Sequence, residues 1–149
     1  MAKYTDLELM RTKFKFQTRQ VNCRDTMQPQ FVEYVEGESF TYNYPVLEMY
    51  LNPRRSMQGG FIAAAFDNAF GALVYLATGQ LAMASVDLHV NYQRPIFEND
   101  LLTVTVFLKT KGRTVAHASG EAYDQSGCLI ATATRNIMLL DKETFLRRE

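Results

Sequence analysis

The sequence is poor in the residues that metal centres and disulfide frameworks need. Its 149 residues include two cysteines, Cys23 and Cys128, and two histidines, His89 and His117. Two cysteines make no framework and stand at no metal-ligand spacing, so they are expected to be reduced, partly buried thiols of a cytoplasmic protein. Two histidines far apart on predicted strands make no metal site, and both are expected to be structural or exposed. Excess charge is missing too. Sixteen basic and sixteen acidic side chains cancel, which leaves no overall field to draw in nucleic acid or an anionic membrane. The first 25 residues are charged throughout, without the apolar core of a signal peptide. The 61–76 run falls short of the roughly 18 apolar residues of a membrane helix and contains an acid, Asp67. Repeats, low-complexity tracts and linkers are absent, so the length implies one domain over 1–149. With 47% hydrophobic residues that domain can bury a real core.

What is present divides cleanly by period. Residues 5–21 are polar with scattered apolar positions and predict an N-terminal helix. "QFVEYVEG" (30–37) and "SFTYNYPVLEMYL" (39–51) predict two strands joined at Gly37-Glu38, with Pro45 arguing for an edge position or a bulge. A long apolar helix follows over about 60–77 and stops at Thr78-Gly79. The period then changes to two. "ASVDLHVNYQ" (84–93) alternates Val86, Leu88, Val90 and Tyr92 against Ser85, Asp87, His89 and Asn91. "LLTVTVFLK", "RTVAHASGEAYD" and "LIATATRNIMLL" follow after short turns, which implies an antiparallel meander. One apolar helix beside six strands has a natural packing solution, an α+β domain in which the sheet curls around the helix.

The helix poses a chemical question. A buried carboxylate without a partner is costly, and aspartate is a poor interior helix residue. On a helical wheel Asp67 shares its face with Ala63, Ala64, Phe70, Gly71 and Val74, small and apolar neighbours rather than a charged stripe. The alternative is that Asp67 and Asn68 form the exposed stripe of an amphipathic helix. Gly59 and Gly60 stand at the helix start, where free N–H groups and a partial positive charge could hold an oxyanion, or where two glycines merely make a tight entry. Gly59 and Asp67 are eight residues apart, about 12 Å along a helix. If both act on one substrate, one must come from a second copy, as in a two-fold dimer.

These residues resemble the hotdog-fold acyl-CoA thioesterases, in the PaaI-like branch of phenylacetate-pathway and small thioesterase-superfamily members. There the central helix opens with His-Gly-Gly and carries an Asp nine residues after the His. "MQGGFIAAAFDNA" has Gln58, Gly59, Gly60 and Asp67 at that spacing. Asn52 matches an Asn six residues ahead of the His, Ser85 a Ser or Thr of the next strand, and Gly112-Arg113-Thr114 a "GRT" turn. The resemblance covers roughly residues 30–140. It implies a hotdog fold, a curved six-stranded antiparallel sheet wrapped around one long central helix with an N-terminal helix beside it. It also implies homodimers or homotetramers paired edge to edge, a cytoplasmic protein, no cofactor and no metal.

By the same resemblance the substrate is an acyl-CoA bound between subunits. Asp67 is the nucleophile or the general base, the Gly59 N–H the oxyanion donor from the partner, and Ser85 positions the water. Asn52 and Gln58 orient thioester or water. Glutamine cannot shuttle a proton near neutral pH, so Gln58 keeps a positioning role only. CoA phosphates need cations. Lys111, Gly112, Arg113 and Thr114 are the leading candidates, with Arg94, Arg135 and the Arg54-Arg55 pair behind them. Two other readings share this frame: a hotdog dehydratase or hydratase on acyl-CoA or acyl-ACP, which the lack of a His near residues 52–70 disfavours, and a non-catalytic acyl-CoA binder.

Overall fold

A computed structural model describes residues 1–79 and 83–140. The chain runs β1 (Lys3–Tyr4), α1 (Leu7–Phe14), α2 (Asn22–Asp25), β2 (Gln30–Val35), β3 (Ser39–Pro45), a 3-10 turn (Glu48–Tyr50), α3 (Gly59–Thr78), β4 (Met83–Ser85), β5 (His89–Tyr92), β6 (Leu101–Lys111), β7 (Val115–Tyr123) and β8 (Leu129–Leu139). The strands form one antiparallel sheet in the order β1-β2-β3-β6-β7-β8-β4, with β5 also paired to β8. The expected α+β architecture is present, with eight strands in place of six. One extra strand is the short β1. The other arises because 84–93 is broken, not continuous.

The break has a local cause. The Asp87 carboxylate accepts from both the backbone N–H and the side-chain amide of Asn136, each at 2.8 Å. That pins Val86-Asp87-Leu88 out of the ladder, so β4 and β5 are two short edge pieces on β8. The expected apolar face of this stretch is accordingly split: Leu88 and Val90 pack partly buried against the core, while Val86 is 58% and Tyr92 52% exposed.

The N-terminal helix is also shorter than 5–21. Asp6 caps it by accepting from the Glu8 and Leu9 N–H groups. Lys15 ends it in the left-handed region at φ 54°. The reversal drops Phe16 into the core against Phe40 and Tyr42. Residues 46–51 leave the strand because Val46 and Asn99 pair across to the β6 approach and Glu48–Tyr50 turns. Pro45 lies in an interior strand, at neither edge nor bulge. It is tolerated as the last residue of β3, paired to Leu101 and beyond the reach of β2, whose register with β3 starts at Gln30↔Asn43.

The central helix matches its expected span. Gly79 closes it at φ 69°, its N–H donating to the Tyr75 carbonyl. Ile62, Ala65, Phe66, Ala69, Phe70, Leu73, Val74 and Leu76 face the sheet and are buried. The sheet meets them with Tyr42, Tyr44, Leu102, Val104, Val106, Ala118 and Ala122, all fully buried. Gly120 of β7 makes room for the helix: a Cβ there would stand 2.9 Å from the Phe66 ring and 3.1 Å from Val106. At 20 residues and a mean hydropathy of 1.5, α3 meets the length and composition of a membrane-crossing helix, contrary to the shorter run expected. In this fold it is the core helix of the sheet. Cys23 and Cys128 are free, and both are exposed rather than partly buried.

Candidate active site on the open face of the central helix

Asp67 stands on the side of α3 away from the sheet. Its side chain is 55% exposed, so in the single chain the exposed-stripe alternative describes its position. Phe70 and Val74, expected beside it, belong to the buried side. The stripe itself is unusual. Its other members are Phe61, Ala63, Ala64, Asn68 and Gly71, apolar or small apart from Asn68. An open helix face of this kind holds an acid among residues that do not favour water.

The acid is not free. Arg135, on β8, reaches under α3 and places Nη1 2.6 Å from Asp67 Oδ1. The same Nη1 donates to the Asp67 backbone carbonyl at 3.1 Å, and Nη2 donates to Ser85 Oγ. One guanidinium therefore ties together α3, β4 and β8, and joins Asp67 to Ser85. Arg135 is 6% exposed, which rules out its expected place as a surface contact for CoA phosphate. Burial pulls its guanidinium below the usual arginine range, with Asp67 and then Asp87 opposing. Its Nε is buried without a hydrogen-bond partner. Asp67 Oδ2 has no protein partner among the described residues, and the side chain is 55% exposed. Arg135 is the site residue that sequence reasoning misplaced. Its signal, a lone arginine within the apolar alternation of "LIATATRNIMLL", was present in the chain.

The helix start forms a second centre. Gln58 precedes α3 with extended backbone and makes no side-chain cap, which leaves the first N–H groups of the helix to Gly59 and Gly60. The Tyr92 hydroxyl donates to the Gly59 carbonyl at 2.7 Å. A Cβ on Gly59 would stand 2.9 Å from Tyr92 Cζ, and one on Gly60 would stand 2.9 Å from Gln58 Oε1. The Tyr92 ring crowds Gly59, whereas at Gly60 the neighbour is the movable end of the Gln58 side chain. A cleft of about 410 Å³ opens here, lined by Met57, Gly59, Ile62, Tyr92, Gln93, Arg94 and Pro95. Arg94 therefore sits beside the helix start.

Other expected residues lie elsewhere. The Asn52 carboxamide is engaged within its own loop. It donates to Ser56 Oγ at 3.0 Å and accepts from the Arg54 and Ser56 N–H groups. It shapes the approach to Gln58. Arg55 pairs with Glu98 at 2.7 Å. Lys111, Gly112, Arg113 and Thr114 form the exposed β6–β7 turn. Lys111 Nζ lies 3.5 Å from the Ala77 carbonyl, at the far end of α3 from Gly59, and 18 residues of helix separate the two ends, about 27 Å. One chain does not bring that turn and Gly59 together. His89 is exposed and His117 is bonded to Asn136 at 2.8 Å, as expected of structural or surface histidines. Among the described residues no group of His, Cys, Asp and Glu side chains could hold a metal ion.

A long helix cradled by one antiparallel sheet defines the hotdog class. Residues 56–131, just over half the chain, match the thioesterase superfamily, and the chain belongs to that family. No curated protein matches it. Among solved structures it is similar to the Escherichia coli PaaI protein from the phenylacetic acid degradation operon, at TM-score 0.76 and 19% identity over 90% of this chain and 92% of that one. A phenylacetic acid degradation-related protein of Ralstonia eutropha JMP134 is similar at TM-score 0.75 and 27% identity, over 88% and 98% of the two chains. The smu.793 protein of Streptococcus mutans UA159, solved bound to acetyl-CoA, is similar at TM-score 0.68 and 20% identity, over 76% and 90%.

Proposed function

We propose that the protein is a cytoplasmic acyl-CoA thioesterase, active as a homo-oligomer, that hydrolyses the thioester to a free acid and CoA. The observation that carries the reading is Asp67 itself. Its carboxylate is anchored through Oδ1 by a buried arginine, while the side chain stays half exposed on a helix face otherwise made of small or apolar residues and Asn68. A family of thioesterases and a structural neighbour solved with acetyl-CoA support the substrate class.

In this mechanism the thioester carbonyl lies against the partner subunit's Gly59 N–H, because Asp67 cannot reach the start of its own helix. Arg135 fixes the Asp67 rotamer, so the carboxylate meets the carbonyl carbon without reorganising. As general base, Oδ2 takes a proton from water while the water oxygen bonds to carbon. As nucleophile, Oδ2 itself bonds to carbon and water later cleaves the resulting anhydride. Either way the C–S bond breaks, the oxyanion collapses to C=O, and the thiolate leaves and is protonated from solvent. The helix N–H stabilises the developing negative charge. Ser85, held to the same guanidinium, orients the water. Arg94 and the 111–114 turn are the cationic and backbone contacts proposed for CoA, one at each end of the helix. Gln58 and Asn52 shape the mouth.

The test is thiol release from a panel of acyl-CoAs by the parent and by Asp67→Asn. The parent is expected to turn over, and the variant to lose about a hundredfold or more in kcat. Tight binding with no thiol released by either protein would assign the chain as an acyl-CoA binder instead. Single turnover in ¹⁸O-water separates the two chemical routes: label enters Asp67 only if it is the nucleophile. A hydratase is disfavoured by the placement of the histidines, one on the β5 edge and one tied to Asn136.

A further inference from the structure

We propose that the cleft beside the C-terminal half of α3 receives the acyl group and selects acyl groups that end in a carboxylate. This inference rests on the thioesterase reading for the orientation of the substrate. It adds the substrate class.

The cleft, about 550 Å³, lies between the open face of α3 and residues 15–21. Asn68, Gly71, Ala72 and Tyr75 line it, and these follow Asp67 along one face of the helix. An acyl group whose carbonyl stands at Asp67 runs directly into it. The distance from Asp67 to Tyr75 is eight residues, about 12 Å, which suits a medium-length chain. The space beside Gly71 is open: a Cβ there would meet nothing within 4 Å. The inner wall is aromatic, formed by Phe16, Tyr42 and Tyr75.

The rim is not apolar. Lys15, Arg19 and Arg24 are among the cleft's lining residues, of which none is acidic, and Lys15 and Arg19 are solvent-exposed. Arg24 is occupied: it pairs with Asp25 at 2.7 Å, and its Nη2 donates to the Arg19 carbonyl at 2.8 Å, which holds the loop. Lys15 and Arg19 have no ion-pair partner among the described residues. Their placement is built by the backbone. Lys15 and Gln17 both adopt positive φ, 54° and 52°, a region that non-glycine residues seldom occupy. The turn between them drives Phe16 into the core and leaves Lys15 exposed beside the cleft that it lines. Gln17 is held in place by donating to the Tyr42 hydroxyl at 2.8 Å. An apolar channel with two unpaired cations at its outer end is complementary to an alkyl or aryl chain with an anionic terminus.

The experiment is calorimetric binding of two non-hydrolysable thioether analogues to the full-length protein. One is octanoyl-CoA and the other suberyl-CoA, the same chain ending in a carboxylate. The suberyl analogue is expected to bind about fivefold more tightly, the upper yield of an exposed ion pair. Lys15→Ala and Arg19→Ala, both surface substitutions, should bring the ratio toward one while leaving the octanoyl affinity unchanged. Equal affinities in the parent, or binding of neither analogue, would overturn the proposal. An equal loss of both ligands in the variants would overturn it too, because it would assign the two cations to CoA phosphates. If the affinity ratio holds but neither parent thioester is hydrolysed, the subsite stands and the thioesterase reading falls.

Discussion

Arg135 Nη1 lies 2.6 Å from Asp67 Oδ1, and the two side chains differ sharply in environment: the arginine is 7% exposed and the aspartate 55%. A buried guanidinium must recover its lost hydration from hydrogen bonds. Here the Asp67 carboxylate, the Asp67 carbonyl and Ser85 Oγ supply them. The price of that arrangement is an orphaned Nε. An aspartate on an exposed stripe needs no such anchor to be stable, so the anchor is best understood through what it does to geometry.

Stability and activity therefore respond differently to loss of this arginine. Arg135→Met removes a buried charge and leaves Asp67 able to hydrate, so unfolding free energy is expected to change by no more than about 1 kcal/mol. Thioester hydrolysis should nevertheless fall about tenfold to a hundredfold in kcat, with KM moving less. Arg135→Lys, a point charge with no planar fork, should recover part of the loss. Chemical denaturation and acyl-CoA kinetics on the same preparations measure both. Equal activity in Arg135→Met would remove the positioning role.

The helix start depends on one tyrosine. Tyr92→Phe removes the 2.7 Å bond to the Gly59 carbonyl but keeps the ring beside the glycine. The bond is exposed, so stability should drop by about 1 kcal/mol or less. Gly59→Ala instead forces the new Cβ against Tyr92, displacing the ring that lines the cleft. KM for acyl-CoA is expected to rise more in Gly59→Ala than in Tyr92→Phe. The reverse order would show that the hydroxyl, not the space, is what the site uses.

Gly120 of β7 lets the Phe66 ring of the helix approach the sheet closely. Gly120→Ala places a methyl 2.9 Å from the Phe66 ring in a fully buried layer. Overpacking of this kind costs about 1–3 kcal/mol. At roughly 2–4 °C per kcal/mol for a chain of this size, a melting scan resolves it. Phe66→Leu alone should also destabilise, yet the double variant should lose less than the sum. Strict additivity would mean that the two residues do not share the contact.

Alkaline pH offers a readout of the aromatic wall. Burial pushes the Tyr42 hydroxyl up to about 12, partly offset by its bond from Gln17. Burial likewise raises Tyr34, Tyr44 and Tyr50. A tyrosine whose folded pKa exceeds its unfolded value of about 10 contributes stability that is complete below pH 10 and lost as pH climbs toward 12. For Tyr42 that loss is about 2–3 kcal/mol. Tyr42→Phe should start about 1 kcal/mol less stable at pH 7, through the lost hydrogen bond, and then fall less steeply between pH 10 and 12. Parallel curves would place the alkaline transition elsewhere.

Part of the site was readable in the chain. Gly59 and Gly60 stand at a helix start, Asp67 sits eight residues on, and the helix stops at Gly79, because each depends on local backbone chemistry or on spacing along a single element. The 84–93 strand misled because alternation records only side-chain type. It does not register that Asp87 would find two donors on Asn136, 49 residues away, and lift three residues from the ladder. Pro45 misled in the same way: its missing N–H is harmless only because β2 begins too late to need it.

The sequence by itself determined the periods, the strand-forming runs, the greasy helix with its single acid and the two glycines before it. These follow from hydrophobic spacing and backbone freedom, which neighbours in sequence decide. Only the tertiary structure decided that Arg135 lies beneath Asp67, that the acid faces away from the sheet, and that Lys15 and Arg19 rim a cleft along the same helix. Each of those depends on which distant strand or loop crosses the helix and on how much water is left there, and neither quantity is carried by any short stretch of residues.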